Sequence, residues 1–277
     1  MVTSKFEYFA PTTLDEASSL LSRYRGQAKL LAGGHSLVPL MKLRLAEPEY
    51  LIDLSRVEGL SYIRDLDGGL SIGAMTTYNE LQNSPLVRQR APVLADAAGK
   101  VADMQVRNRG TLGGSLAHSD PAGDIPAVIL ALNATIIVRT PRSSREIPAD
   151  RFQVDMLTTA LRENEILTEI QIPAAPMGTG MAYTKFHNKA SHYAIVGVAA
   201  VVTTSNGVVS DARVAVTGAG PKATRARRTE RILKDKEPTD AVIRRAASRA
   251  AAEIGDEIND DIHASAEYRE HLTQVYA

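Results

Sequence analysis

Two short segments carry the residue types that can hold an anion. The first is Leu30-Leu31-Ala32-Gly33-Gly34-His35-Ser36-Leu37, an apolar run broken by paired glycines and followed by two side-chain donors. Glycines let backbone amides approach an anion closely, and His35 and Ser36 add donors, so the segment can hold a phosphate. Read alone, paired glycines after a strand are more often only a tight turn. The second is Arg109-Gly110-Thr111-Leu112-Gly113-Gly114-Ser115, followed by Ser119-Asp120-Pro121-Ala122-Gly123-Asp124. Two such loops on different lobes can grip both halves of a pyrophosphate, which makes a dinucleotide their natural ligand. Neither fits G-x-G-x-x-G or the Walker pattern, so a Rossmann site and a P-loop are disfavoured.

The elements that must position these loops alternate in type. Thr13 to Glu16 has the capping-box spacing and opens a helix to about Tyr24. A strand from Lys29 to Ala32, a helical stretch around Leu37 to Leu45 and a strand from Tyr50 to Leu54 complete a small α/β lobe ending near residue 55. Further on, Gly69 to Ala74 alternates as a strand, and Pro92 to Ala102 reads as a buried helix. Asp124 to Leu132 looks helical, and Thr135 to Arg139 and Ile166 to Ile172 alternate as strands. Pro173, Pro176, Gly178 and Gly180 mark a linker, which puts a boundary at about residue 176. Beyond it, Ala194 to Thr203 is a long apolar run, Asn206-Gly207 a hairpin turn and Val214 to Val216 the returning strand, with two alanine-rich helices closing the chain.

Composition narrows the function. Lys plus Arg and Asp plus Glu both number 32, so no net field recruits a polyanion, and a general nucleic-acid role is disfavoured. With no cysteine in 277 residues, the chain ligates no iron–sulfur cluster and no cysteine-bound zinc; such a relay must sit on another chain. Met1 to Pro11 is neither a secretory signal nor an anchor, and no stretch approaches the roughly 20 apolar residues of a membrane span, so a cytoplasmic location is expected. His35, His118, His187, His192, His263 and His271 lack metal-ligand spacing, and no metal is assigned. The basic run Lys222, Arg225, Arg227, Arg228, Arg231, Lys234 is diluted by Glu230 and Asp235 and reads as a solvated helical face.

The paired loops, Ala32-Gly33-Gly34-His35-Ser36 and Thr111-Leu112-Gly113-Gly114-Ser115, resemble the two FAD pyrophosphate loops of the medium, flavin-binding subunit of the molybdenum hydroxylases. The wording from Ala32 to Arg44 and Gly73 to Thr77 is nearest to the carbon monoxide dehydrogenase branch. The resemblance covers essentially the whole chain, including the ending Ala264 to Leu272. It implies an α+β fold: a two-lobed FAD-binding domain of the PCMH/VAO type at 1–176, with lobes of about 1–55 and 56–176, then a smaller domain at 177–277 with a three-stranded antiparallel sheet and helices. It also implies an oxidoreductase with FAD as cofactor. The partners would be a small [2Fe-2S] subunit and a large molybdopterin subunit, assembled as a dimer of heterotrimers.

Site residues follow from the resemblance position by position. Leu30, Leu31, Ala32, Gly33, Gly34, His35, Ser36 and Leu37 wrap the pyrophosphate and ribityl region. Thr111, Gly113, Gly114 and Ser115 supply the second set of phosphate contacts. Val101 lines the adenine pocket, Asp124 contacts FAD, and His118 and Asp120 join the same site. Leu167 is an apolar contact to the ring, Lys185 lies beside the isoalloxazine, and Tyr193 packs at it. The sequence departs from relatives at Ser115, where many have asparagine, at His192, where many have aspartate, and at Asn188-Lys189. Without the resemblance, Lys185 and Asp124 read as surface charges and Tyr193 as the start of a core strand. The expected function is electron transfer through bound FAD, from the clusters of a partner to a final acceptor. A self-contained FAD oxidoreductase of the same fold is the alternative, and a nucleotide-binding scaffold a third reading.

Overall fold

A computed structural model describes residues 2–277. The first lobe is a parallel sheet in the order β1-β3-β2, built from β1 (Glu7–Phe9), β2 (Ala28–Leu31) and β3 (Tyr50–Asp53), with helices α1 (Leu14–Arg23) and α2 (Leu37–Lys42). Thr13 Oγ1 accepts the Glu16 amide at 3.2 Å, as the spacing predicts, but the Glu16 carboxylate takes the amide of Thr12 instead of that of Thr13. Half of the capping box therefore forms. Ala17, Leu21, Ile52 and Leu54 make the lobe's core, which closes against Ile166 of the next lobe.

The second lobe has an antiparallel sheet in the order β4-β5-β10-β6-β7, from β4 (Ile63–Leu66), β5 (Gly69–Gly73), β6 (Thr135–Arg139), β7 (Ser144–Pro148) and β10 (Ile166–Ile172). The short pair β8 (Gln153–Asp155) and β9 (Thr158–Thr159) lies outside it. Its helices are α3 (Tyr78–Asn83), α4 (Pro85–Arg90), α5 (Pro92–Lys100), α6 (Met104–Arg107), α7 (Leu112–His118), α8 (Asp124–Ala131) and α9 (Ala149–Phe152). Every residue of α8 is buried, because the helix packs between α5 on one side and the C-terminal sheet on the other. After Asp124 the helix is apolar on every side, and such a helix belongs in a buried layer of this kind.

The C-terminal sheet has the order β11-β12-β13-β14, with β11 (Thr179–His187), β12 (Ala194–Ser205), β13 (Val208–Thr217) and β14 (Thr224–Arg225). The sheet thus has four strands where three were expected, the fourth a two-residue strand at the edge. Asn206 and Gly207 both have positive φ, 52° and 79°, the geometry of a primed hairpin turn. Three helices follow, α10 (Arg227–Leu233), α11 (Asp240–Ala247) and α12 (Ala266–Tyr276), one more than the sequence suggested. A single core runs from Leu70 through α8 to Tyr183, Ala199 and Ala215, joining the second lobe to the C-terminal sheet without a break. The basic run is only partly solvated. Arg225 is inside, 2.5 Å from Glu230, and Lys222 donates to the Val154 carbonyl, whereas Arg227, Arg228, Arg231 and Lys234 face water. Among the described residues no helix is long and apolar enough to cross a membrane.

Candidate functional site

Strand β2 delivers the chain to Ala32, where pairing with β3 stops and the glycines begin. Gly34 has φ +80°, a conformation that strains any residue with a Cβ, and it turns the chain into α2. Its carbonyl accepts the Val38 amide at 3.0 Å and that of Ser36 accepts Leu40 at 3.2 Å, so the carbonyls are used. The donors are not. Among the described residues, no protein acceptor receives the amides of Gly33, Gly34, His35, Ser36 or Leu37, and the Ser36 side chain caps nothing. Backbone donors left together in this way need water or a ligand.

The second loop is built differently. Thr111 caps α7 by accepting the Gly114 amide at 3.1 Å, Gly113 donates to Ala74 at 2.8 Å, and Ser115 donates to Thr111 at 3.0 Å. The amides of this loop are therefore committed inside the protein. Its hydroxyls, Thr111 and Ser115, remain as donors. Gly113 is needed for packing: a Cβ there would sit 2.6 Å from that of Ala74.

The two loops come from different lobes and touch. A Cβ on Gly33 would lie 2.0 Å from the Arg109 carbonyl oxygen, and one on Gly114 would lie 3.4 Å from Ala32 Cβ. The glycines are what permit this approach, and the result is a cradle with free amides on one side and hydroxyls on the other. A pyrophosphate fits that donor set.

Beyond the loops, Asp124 opens α8 with both carboxylate oxygens engaged. Oδ1 accepts the Tyr183 hydroxyl, and Oδ2 lies 2.9 Å from Lys185 Nζ. Lys185 also donates to the Lys100 carbonyl at 3.0 Å, next to Val101 at the end of α5. Arg107 holds the carbonyls of Val101 and Ala102, each at 3.0 Å. Asp124 and Lys185 are not surface charges, as their types alone suggest: their side chains are 5% and 4% exposed. Burial raises the Asp124 pKa above the usual carboxylate range, against the opposing pull of Lys185 and Tyr183. Burial and the adjacent carboxylate push the Tyr183 hydroxyl well above its ordinary value.

Tyr78 is a residue that sequence reasoning missed. It is buried where α3 begins, its ring fills the space beside Gly110, and burial drives its hydroxyl to about 12, with Ser115 partly offsetting the rise and Asp124, Tyr193 and Asp120 adding to it. Those neighbours connect the second loop to a cleft of about 430 Å³ bordered by Asp120, Tyr193 and Ala194. Tyr193 is half exposed at its rim, so it does not begin a core strand; β12 starts one residue later. His118 Nε2 stands 3.9 Å from Asp120 Oδ2. Leu167 is buried in β10 opposite Val138. Its neighbour Thr168 receives the Ala74 amide at 2.9 Å, and Ala74 in turn receives Gly113. His35 is exposed on the first loop.

A domain described as "FAD binding domain in molybdopterin dehydrogenase" matches residues 4–175, and the "CO dehydrogenase flavoprotein C-terminal domain" matches residues 181–277. The chain belongs to this flavoprotein family. It is 43% identical to the carbon monoxide dehydrogenase medium chain of Hydrogenophaga pseudoflava over 97% of its own length and 93% of that protein. Identity to the nicotine 6-hydroxylase medium subunit of Paenarthrobacter nicotinovorans is 41%, over 96% and 93% of the two chains. The solved carbon monoxide dehydrogenase from Hydrogenophaga pseudoflava superposes with a TM-score of 0.96, covering 100% of this chain and 96% of that one. As in the family, the fold is mixed α/β with a flavin domain and a C-terminal domain, the cofactor is FAD, and the chain is an oxidoreductase subunit.

Proposed function

We propose that this chain is the FAD-binding electron-transfer subunit of a heteromeric molybdenum hydroxylase. It takes electrons from the [2Fe-2S] clusters of a small partner subunit, which draws them from a molybdopterin-containing large subunit, and passes them to a final acceptor. The observation that carries this reading is the meeting of two glycine loops, the first with unspent amides and the second presenting hydroxyls, on a chain with no cysteine to hold a cluster of its own. The names of the relatives, medium chains of carbon monoxide and other dehydrogenases, support it.

When bound, FAD supplies an isoalloxazine ring that accepts and releases electrons singly or in pairs. The protein's part is to hold and orient it. The amides from Gly33 to Leu37 take one phosphate and the hydroxyls of Thr111 and Ser115 the other. Val101 walls the adenine, Leu167 and Tyr193 bound the ring, and His118, Asp120 and the Asp124–Lys185 pair shape the polar side. Residues 1–176 form the flavin domain and 177–277 the C-terminal domain, and the assembly is a dimer of heterotrimers in the cytoplasm.

Native mass measurement on the chain isolated from its own source tests this. The expected result is co-purification with one small and one large subunit, one FAD per copy. A free monomer that oxidises an organic substrate unaided would establish instead a self-contained flavin oxidoreductase.

A further inference from the structure

The segment Asp120-Pro121-Ala122-Gly123-Asp124 lies in the flavin domain, yet its conformation is held from the C-terminal sheet. Thr217, at the end of β13 and fully buried, places its hydroxyl 2.9 Å from the Pro121 carbonyl and 2.8 Å from that of Gly123. The next amide, Gly218, donates to the same Pro121 oxygen at 2.8 Å, and Ala194 at the start of β12 donates to Ala122 at 3.3 Å. Within the segment itself, only Ala122 to Asp120 Oδ1 and Gly123 to the Asp120 carbonyl stiffen the turn. Pro121 contributes no amide.

The clamp has its own support. Gly218 sits at φ +83°, and a Cβ on it would fall 2.5 Å from the Ile195 carbonyl oxygen, so the close approach of β13 to β12 needs glycine there. Arg269 of α12, buried to 4% exposure, donates from one nitrogen to Gly218 at 2.9 Å and to Ile195 at 2.7 Å. Its other terminal nitrogen grips both oxygens of Asp261, at 2.8 and 2.7 Å. A continuous chain of polar contacts thus runs from the last helix, through the Gly218 turn, to the segment that carries Asp120 and Asp124.

We infer that Thr217 is a positioning residue for the flavin site, with Gly218 and Arg269 backing it, and that through it the C-terminal domain sets the affinity of the flavin domain for FAD. This rests on the proposal that Asp120 and Asp124 border the cofactor. A hydroxyl with one proton serves two carbonyls here, so removing it frees Gly123 and weakens the hold on Pro121. Either change lets the segment move away from the geometry that receives the ligand.

The test uses the full chain with its co-purifying subunits, stripped of flavin and titrated with FAD. Thr217→Val, which keeps the shape and loses the hydroxyl, should raise the Kd for FAD about three- to tenfold, the range of one net hydrogen bond. Thr217→Ser should restore it. Should the valine variant not fold, Thr217→Ala makes the same comparison with more room. A merely structural threonine would lower the denaturation midpoint and leave the FAD Kd at its wild-type value, and that result overturns the inference. Asp120→Ala separates the two levels. If it weakens FAD binding while Thr217→Val does not, the clamp is wrong; if Asp120→Ala binds FAD normally, the assignment of the segment to the site is wrong and the inference falls with it.

Discussion

Lys185 Nζ lies 2.9 Å from Asp124 Oδ2, across 61 residues of sequence, and the two side chains are buried together with the Tyr183 hydroxyl on the other carboxylate oxygen. A lysine read as a lone cation would tune a nearby ring through its full charge. Paired in this way it presents a near-neutral unit, and its loss acts first on stability. Removing one member of a buried pair leaves an uncompensated charge, at about 3–5 kcal/mol. Lys185→Met should therefore lower the unfolding free energy of the full chain by that amount in a urea titration, and Asp124→Asn combined with it should recover a substantial part. A Lys185→Met chain within about 1 kcal/mol of wild type, the size of a single net hydrogen bond, would show that the pair is dispensable.

The loop contact makes a second prediction. Gly33→Ala drives a methyl into the Arg109 carbonyl, whereas Gly26, also in the first lobe, has open space around its Cβ position. Gly33→Ala should raise the Kd for FAD by at least about tenfold, or about 1.4 kcal/mol, with the far-ultraviolet circular dichroism retained. Gly26→Ala carries only the strain of its positive φ, about 1–2 kcal/mol in stability, and should keep its flavin. Equal flavin content in both variants would refute the two-loop cradle.

Acid sensitivity has a specific source in the second lobe. Arg145 holds both oxygens of Glu165, at 2.6 and 2.7 Å, with the carboxylate almost fully buried. The bidentate contact from Arg145, aided by the Arg162 amide and opposed by burial, keeps the Glu165 pKa below its ordinary 4.5. A carboxylate depressed in the folded state stabilises fully above its unfolded value, and that contribution is lost as pH falls through the folded one. Stability of the wild type minus that of Glu165→Gln should be constant from pH 7 to about 5.5 and shrink below about 4.5. A difference that stays flat down to pH 3 would remove this pair as a source of acid lability.

Much of the frame was legible because it depends on local chemistry. The glycine loops, the Asn206-Gly207 turn, the apolar run of α8 after Asp124 and the strands at Thr135–Arg139 and Ile166–Ile172 are each dictated by residues adjacent in sequence. Other local signals were present and unread: Thr77 and Glu80 form a complete capping box opening α3, and Ser84-Pro85 opens α4. Strand β11 starts inside the expected linker, at Thr179, and went unread because only Tyr183 along it is fully buried, so its alternation is weak. The Asp124–Lys185 pair could not be read from residue types, since both are ordinarily solvated and nothing short of the fold joins α8 to β11. The division of labour between the loops was equally hidden. Both have paired glycines, yet whether their amides are free depends on Ala74 and Thr111 standing behind the second one.

In the proposed function, electrons reach a final acceptor through FAD held by this chain. This route is tested most directly by rapid mixing of the assembled complex with the large subunit's own substrate, once with the wild-type chain and once with Gly33→Ala depleted of flavin. The account predicts that substrate still reduces the iron–sulfur clusters in both, seen by their visible bleaching, while delivery to an added electron acceptor falls in proportion to lost flavin. Undiminished delivery from the flavin-depleted complex would contradict it.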